Sequence, residues 1–208
     1  MKNIPNPADV STKFGVNMPN TVEGIAWNLY DIQTYTTAGA REFSFFQVPQ
    51  GQSSKTLEDT NMELAGQLPA PQAFLVETVQ FQFLSGGELI DAATVAGENA
   101  ANDSWKVLKN GSLEFSIGSK SYAKGAPLLS FPPAQRLVFN GAVSNTTTTT
   151  VGAAGYADAT GLLHDTGGLL IPQSQNFNVK VRFKDLLTIA TESRIKVTLS
   201  GILYRSRM

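Results

Sequence analysis

The chain has no cysteine and a single histidine, His164, among its 208 residues. The first absence removes disulfide frameworks, thiolate metal sites and cysteine nucleophiles together. The second leaves too few imidazoles for a cupin-type metal centre, which needs several His ligands. The reading therefore carries no metal and no cofactor. Charge is sparse: 16% of residues are Asp, Glu, Lys or Arg, against about 25% in an average soluble domain. No apolar run approaches the ~18 residues of a membrane span. The opening "MKNIPNPADVSTKF" lacks the apolar stretch of a signal peptide. The expectation is a chain made and used as a soluble protein, not a secreted one, that can still touch a membrane surface. An Arg-rich arm for packaging nucleic acid is missing too, since residues 1–20 carry only Lys2, Lys13 and Asp9 as charges.

What the sequence has in quantity is alternation. Phe177, Val179, Val181 and Phe183 alternate with Asn178, Lys180 and Arg182. Ile195, Val197 and Leu199 alternate with Lys196, Thr198 and Ser200, and the same period of two recurs over 79–83 and 113–117. A period of two sends successive side chains to opposite faces, one toward a core and one away from it. Ile25, Trp27 and Leu29 alternate more weakly within 24–32, and Phe43 and Phe45 begin a strand that switches face at Phe46, predicting a bulge. "WKVLK" (105–109), then Asn110-Gly111, then "SLEFSI" predicts a hairpin, because Asn-Gly accepts the two positive φ angles of a type I′ turn. "RLVFNG" (136–141) adds a further strand.

Helix signals are few. Residues 87–100 predict one short helix or an alanine-rich loop, and 183–193 one helical turn. Residues 49–72 hold Pro49, Gly51, Gly66, Pro69 and Pro71 and read as a long irregular connection. Residues 1–22 read as an extended N-terminal segment. Residues 141–170, with Thr146–Thr150 in a row, read as a low-complexity surface loop that gains little from burial. About eight strands without β-α-β alternation, in one domain spanning 1–208, predict an all-β, eight-stranded antiparallel sandwich of jelly-roll type with long loops.

Reactive constellations are thin. A Ser-His-Asp triad would have to use His164, which sits in the polar "GLLHDTGGLL". Asp165-Thr166-Gly167 matches the aspartic-protease tripeptide, and Asp158-Ala159-Thr160-Gly161 echoes it. Such enzymes bring two carboxylates together to share one proton and set each Asp directly after an apolar strand, whereas here His164 intervenes. A turn with Asp side-chain-to-backbone bonds is the better reading. Glu88 and Asp91 stand three apart, as helix-start carboxylates do, and no ordered calcium-loop pattern occurs. Asn102, Asn110 and Asn145 open sequons that a cytoplasmic chain does not use. The expectation is that the chain is not an enzyme.

Charge is unevenly distributed. Residues 1–177 carry nine Lys/Arg and fifteen Asp/Glu, net −6, whereas 178–208 carry seven and two, net +5. The basic set is Lys180, Arg182, Lys184, Arg194, Lys196, Arg205 and Arg207. It is either a solvated strand face or a patch meeting an acidic neighbour, lipid headgroups or nucleic acid.

Four stretches also resemble a known family. "DTNMELAGQLPAPQAFLVETVQFQF" (59–83), "LEFSIGSKSYAKGAPLLSFPP" (113–133), "LLIPQSQNFNVKVRF" (169–183) and "RIKVTLSGILYRSR" (194–207) resemble major capsid proteins of small tailless icosahedral bacterial viruses, several of which have an internal membrane. The resemblance covers about two-thirds of the chain and rests on strand patterns and Pro/Asn turns. It implies a jelly-roll coat protein of the virion, made in the host cytoplasm, that self-associates into capsomers of an icosahedral shell. Its partners would be further copies of itself, other capsid proteins, and inner-membrane lipid or genome through the basic strands. A penton or spike-base protein and a jelly-roll carbohydrate-binding module are the alternatives. The last needs exposed aromatics, for which Trp27, Trp105, Tyr30 and Tyr35 are the candidates.

Overall fold

The computed structural model describes residues 4–16, 22–84, 86, 96–131, 139–140, 152–153 and 168–206. Eight strands carry the fold: β1 (Val22–Tyr35), β2 (Ala40–Phe45), β3 (Ala73–Leu84), β4 (Gly111–Ile117), β5 (Lys120–Pro127), β6 (Leu169–Ile171), β7 (Phe177–Leu187) and β8 (Ser193–Ser206). They form two antiparallel four-stranded sheets, in the orders β1-β8-β3-β6 and β2-β7-β4-β5. Between β5 and β6, residues 139–140 pair with 152–153 as a separate two-residue ladder. The all-β sandwich expected from the alternation is what the chain forms.

The inner faces are the alternating residues. Leu113, Phe115 and Ile117 of β4, Phe177, Val179, Val181 and Phe183 of β7, and Ile195, Val197 and Leu199 of β8 are buried in one core. Removing a Leu side chain from such a site costs about 2–5 kcal/mol. Tyr35, Phe43 and Phe183 close one end of this core, with ring centroids 4.9 and 5.9 Å apart for the Tyr35 pairs.

β3 departs from simple alternation for a definable reason. Its register against β8 shifts between Ser200 and Gly201, so that Glu77 falls between paired residues. Phe74 and Val76 before the shift, and Val79 and Phe81 after it, thereby all face the main core. Gly201 lies at this point; a Cβ there would run into the Leu75 carbonyl. Ala73 and Leu75 face the opposite side, where they join Val10, Val22, Leu170, Ile202 and Tyr204 in a second, smaller core.

A helix covers that second core. Residues 7–14 are helical, correcting the expectation of an extended segment over 1–22: α1 spans Pro7–Phe14. Its signals are local. The Asn6 side chain accepts the Ala8 N–H at 3.1 Å, Pro7 starts the first turn, and Gly15 ends it at φ 64°.

The expected 105–109 hairpin is also corrected. Residues 96–110 form one helix, α2 (Ala96–Asn110), which leads into β4 at Gly111. Five residues of "WKVLK" fit either period, and the helix-favouring stretch before them settles the choice. Val107 is buried in the main core, and Asp103, four residues earlier, accepts the Ala190 and Thr191 N–H groups at 2.8 and 3.2 Å. Asn110-Gly111 thus ends a helix, and a Cβ at Gly111 would meet Leu128, Phe183 and the Val107 carbonyl.

Two smaller expectations change. Residues 183–187 continue β7 in place of a helical turn. Phe46 is not in a bulge: β2 ends at Phe45, and Phe46, also buried, sits at φ 66°. The 49–72 connection is irregular, as read, and anchors Met62 and Leu68 in the core. Most of 141–170, including His164, Asp165 and Asn145, lies outside the described residues.

Candidate functional site

The basic residues of β7 and β8 are distributed over both sheets, and their neighbours answer most of them. β7 lies between β2 and β4, and Arg182 there donates through Nε to Glu42 at 2.6 Å and through Nη1 to Glu114 at 2.5 Å. Lys180 pairs with the same Glu42 at 3.3 Å. On β8, Arg194 reaches Asp59 at 2.5 Å, Arg205 reaches Glu23 at 3.0 Å, and the Lys196 ammonium stands 5.1 Å from the centre of the Tyr30 ring. Lys184 is exposed, and Arg207 lies outside the described residues. The charge that segregates along the sequence therefore interdigitates in space. Hydrogen bonding to Arg182 holds the Glu42 carboxyl below its usual range; the Thr56 N–H does most to hold Asp59 down, with Arg194 adding to it.

Among the described residues, one acid is wholly buried. Asp31 of β1 accepts the Phe46 N–H at 2.7 Å and pairs with Lys55, whose ammonium also donates to the Ile32 carbonyl at 3.0 Å. Burial pushes the Asp31 carboxyl up in spite of these partners. The cluster holds Phe46 in its left-handed backbone conformation, an uncommon state for a residue with a side chain.

The same cluster lies at the start of a seal along β1. β1 is an edge strand. Beyond it, Ile32 N–H donates to the Asp59 carbonyl at 2.8 Å and Thr60 Oγ1 to the Tyr30 carbonyl at 3.1 Å. The Asn61 carboxamide then does the work of a strand, accepting from Tyr30 N–H at 3.0 Å and donating to the Asn28 carbonyl at 2.7 Å. The seal stops there.

Beside the unsealed part of β1 lies a depression of about 130 Å³, lined by Trp27, Leu29, Met62, Leu68 and Leu203 with Asn61, Gln72 and Arg205 at its polar side. Trp27 faces Gly201 across the ladder, so no side chain stands opposite the indole. Trp27 is 46% exposed although Leu29, two residues on, is buried.

No family model, no curated protein and no solved structure matches the chain. The chemistry must be read from the residues themselves. Among the described residues, no group of three or more His, Cys, Asp or Glu side chains stands together to hold a metal ion. Among them, too, no helix is long and apolar enough to cross a membrane.

Of the four aromatics singled out in the sequence, Trp27 and Trp105 are exposed, Tyr35 is buried with its hydroxyl donating to the Leu187 carbonyl at 2.7 Å, and Tyr30 donates to the Leu57 carbonyl. The Asp31–Lys55 cluster and the Asn61 seal escaped the sequence reading. Asp31 within the otherwise apolar "LYDI" was the available signal for the first. Nothing in the sequence marks Asn61.

Proposed function

We propose that the chain is a structural coat protein, a jelly-roll subunit that self-associates into capsomers of an icosahedral shell. The observation that carries this reading is the nesting of the strand pairs: β1 with β8, β2 with β7, β3 with β6, β4 with β5. Rolling one long antiparallel hairpin so that alternate pairs fall into opposite sheets would produce this order, which supports the double Greek-key plan of jelly rolls. That plan serves capsid, lectin and cupin domains alike. The low charge and the resemblance of four segments to capsid proteins favour the first. The role is structural, without catalysis or cofactor, and the site of action is the virion.

The ion pairs redirect where neighbours meet. Lys180, Arg182, Arg194, Lys196 and Arg205 already have acidic or aromatic partners within the chain. Subunit contacts are therefore assigned to uncharged edges and loops, and contact with lipid headgroups or nucleic acid to the exposed Lys184. Electron microscopy and light scattering of the expressed chain test the reading: capsomers or shells are expected. A strict monomer at high concentration across salt conditions overturns it. Copy number in a purified particle separates a major coat protein from a penton or spike-base protein. The half-exposed Trp27 favours one rival, a carbohydrate-binding module, and binding on a glycan array that Trp27→Ala abolishes would support that rival.

A further inference from the structure

We propose that residues 24–28 of β1 pair, antiparallel and about a two-fold axis through Ala26, with the same residues of a second copy of this chain. The inference rests on the reading of the chain as a self-associating coat protein and names the surface it uses.

The parity of the edge comes first. In an antiparallel ladder, a residue's N–H and C=O point to the same side. Asn28, Tyr30 and Ile32 turn theirs outward, because the 59–61 segment takes them there. Gly24 and Ala26 share that parity. Their N–H and C=O groups, and the Asn28 N–H, point away from β8, and among the described residues nothing pairs with them. Ala26, Trp27 and Asn28 are all exposed.

The other sheet edges are blunted in the ways natural proteins use. β5 carries Lys120, Lys124, Gly125 at φ 71° and Pro127, with two register shifts. β6 is three residues long. β2 carries Arg41 and Glu42, and its Ser44 carbonyl accepts the Gln33 amide at 3.1 Å. Only 24–28 is left long and uncharged among the described edges, and it is open except at the Asn28 carbonyl, which already accepts from Asn61.

That segment is also complementary to itself. With the axis at Ala26, Gly24 faces Asn28 of the second copy and Ala26 faces its own counterpart. "GIAWN" contains no charge, so no like charges oppose one another. Trp27 stands across from Ile25 of the second copy in a non-hydrogen-bonded pair, where side chains approach most closely. This covers the exposed part of the indole and the mouth of its depression. A five-residue pairing buries less than the roughly 1,200–2,000 Å² of a stable isolated interface, so it acts alongside other shell contacts.

The lack of native cysteine makes the test direct. Hydrogen-bonded partners in an antiparallel pair have Cα atoms about 5.5 Å apart, within the range of about 4.4–6.8 Å that a disulfide spans. Under mild oxidation, Ala26→Cys is expected to form a reducible dimer at least about tenfold faster than Thr34→Cys, an exposed control on the same strand. Ala26→Pro removes an outward N–H and no β1–β8 bond, a position where an edge strand accepts proline. It is expected to melt within a few degrees of the parent and to lose at least about tenfold in assembly. If Ala26→Cys cross-links no faster than Thr34→Cys while light scattering still shows association, the edge proposal falls and the coat-protein reading stands. If neither variant cross-links and the parent is monomeric throughout, both fall. Assembly of Ala26→Pro at the parental level also overturns the edge proposal.

Discussion

The two ends of β1 handle the same problem differently. From Asn28 to Ile32 the free edge is closed by the 59–61 segment, anchored through the buried Asp31–Lys55 pair. At Gly24 and Ala26, and at the Asn28 N–H, no described residue pairs with the outward edge groups, and a half-exposed tryptophan lies beside them. The difference lies in what each end can reach within the chain. The 49–72 connection loops back over the first end and supplies backbone and amide groups in register. Over the second it contributes only the wall of a depression. One chain closes only half of this edge strand among the described residues, and the pairing proposed above would use the other half.

The largest expected effect breaks the closed half. Asp31→Ala leaves the Lys55 ammonium unpaired and the Phe46 N–H without its acceptor. Breaking a buried pair from one side costs about 3–5 kcal/mol, and denaturant unfolding of the variant should show a loss of that size. Asn61→Ala removes two hydrogen bonds to β1. At roughly 0.5–1.5 kcal/mol each, the melt should report a loss of about 1–3 kcal/mol. The variant should also associate more readily in light scattering, since the open edge is now longer. Trp27→Ala acts on the open half. Because the side chain is 46% exposed in the monomer, the cost should stay well below the ~3–5 kcal/mol of a buried tryptophan, while assembly weakens.

pH sharpens the comparison with the smallest effect. Asp31 and Asp59 serve the same seal with opposite signs. Asp59 is held below its ordinary 3.8, so its contribution is present above that value and lost as pH falls through the lowered one. Asp31 is raised above 3.8, so its contribution is full below 3.8 and declines as pH rises through the raised value. Asp59→Asn should therefore flatten the acid side of a melting-temperature profile, and a profile identical to the parent's would show that the Asp59 contacts do not hold in solution.

Most of the sandwich was legible from residues. β4, β7 and the first part of β8 alternate strictly because one face meets the core and the other does not. The helix α1 was legible too, in Asn6, Pro7 and Gly15, although the segment reads as extended when those three are not taken together. The helix α2 was legible only in part: its start, 96–100, lies within the 87–100 stretch read as a short helix or loop, but its continuation through 105–109 was not, because a five-residue window of alternation cannot separate the two periods. Trp27 reads as core by spacing, and only the glycine opposite it on β8, together with the end of the Asn61 seal, leaves it exposed.

What the sequence by itself determined is the strictly alternating strands, β4, β7 and the first part of β8, and the face of each that is buried, because a side-chain period of two is a local property of the backbone. Charge, by contrast, was decided by tertiary structure. The sequence separates a −6 segment from a +5 segment, and folding places β7 and β8 inside their sheets, where Glu23, Glu42, Glu114 and Asp59 come from far along the chain to meet the cations. The open edge was decided there as well. Whether a strand has a neighbour depends on sheet order and on the reach of a distant loop, and neither is encoded in the residues of the strand itself.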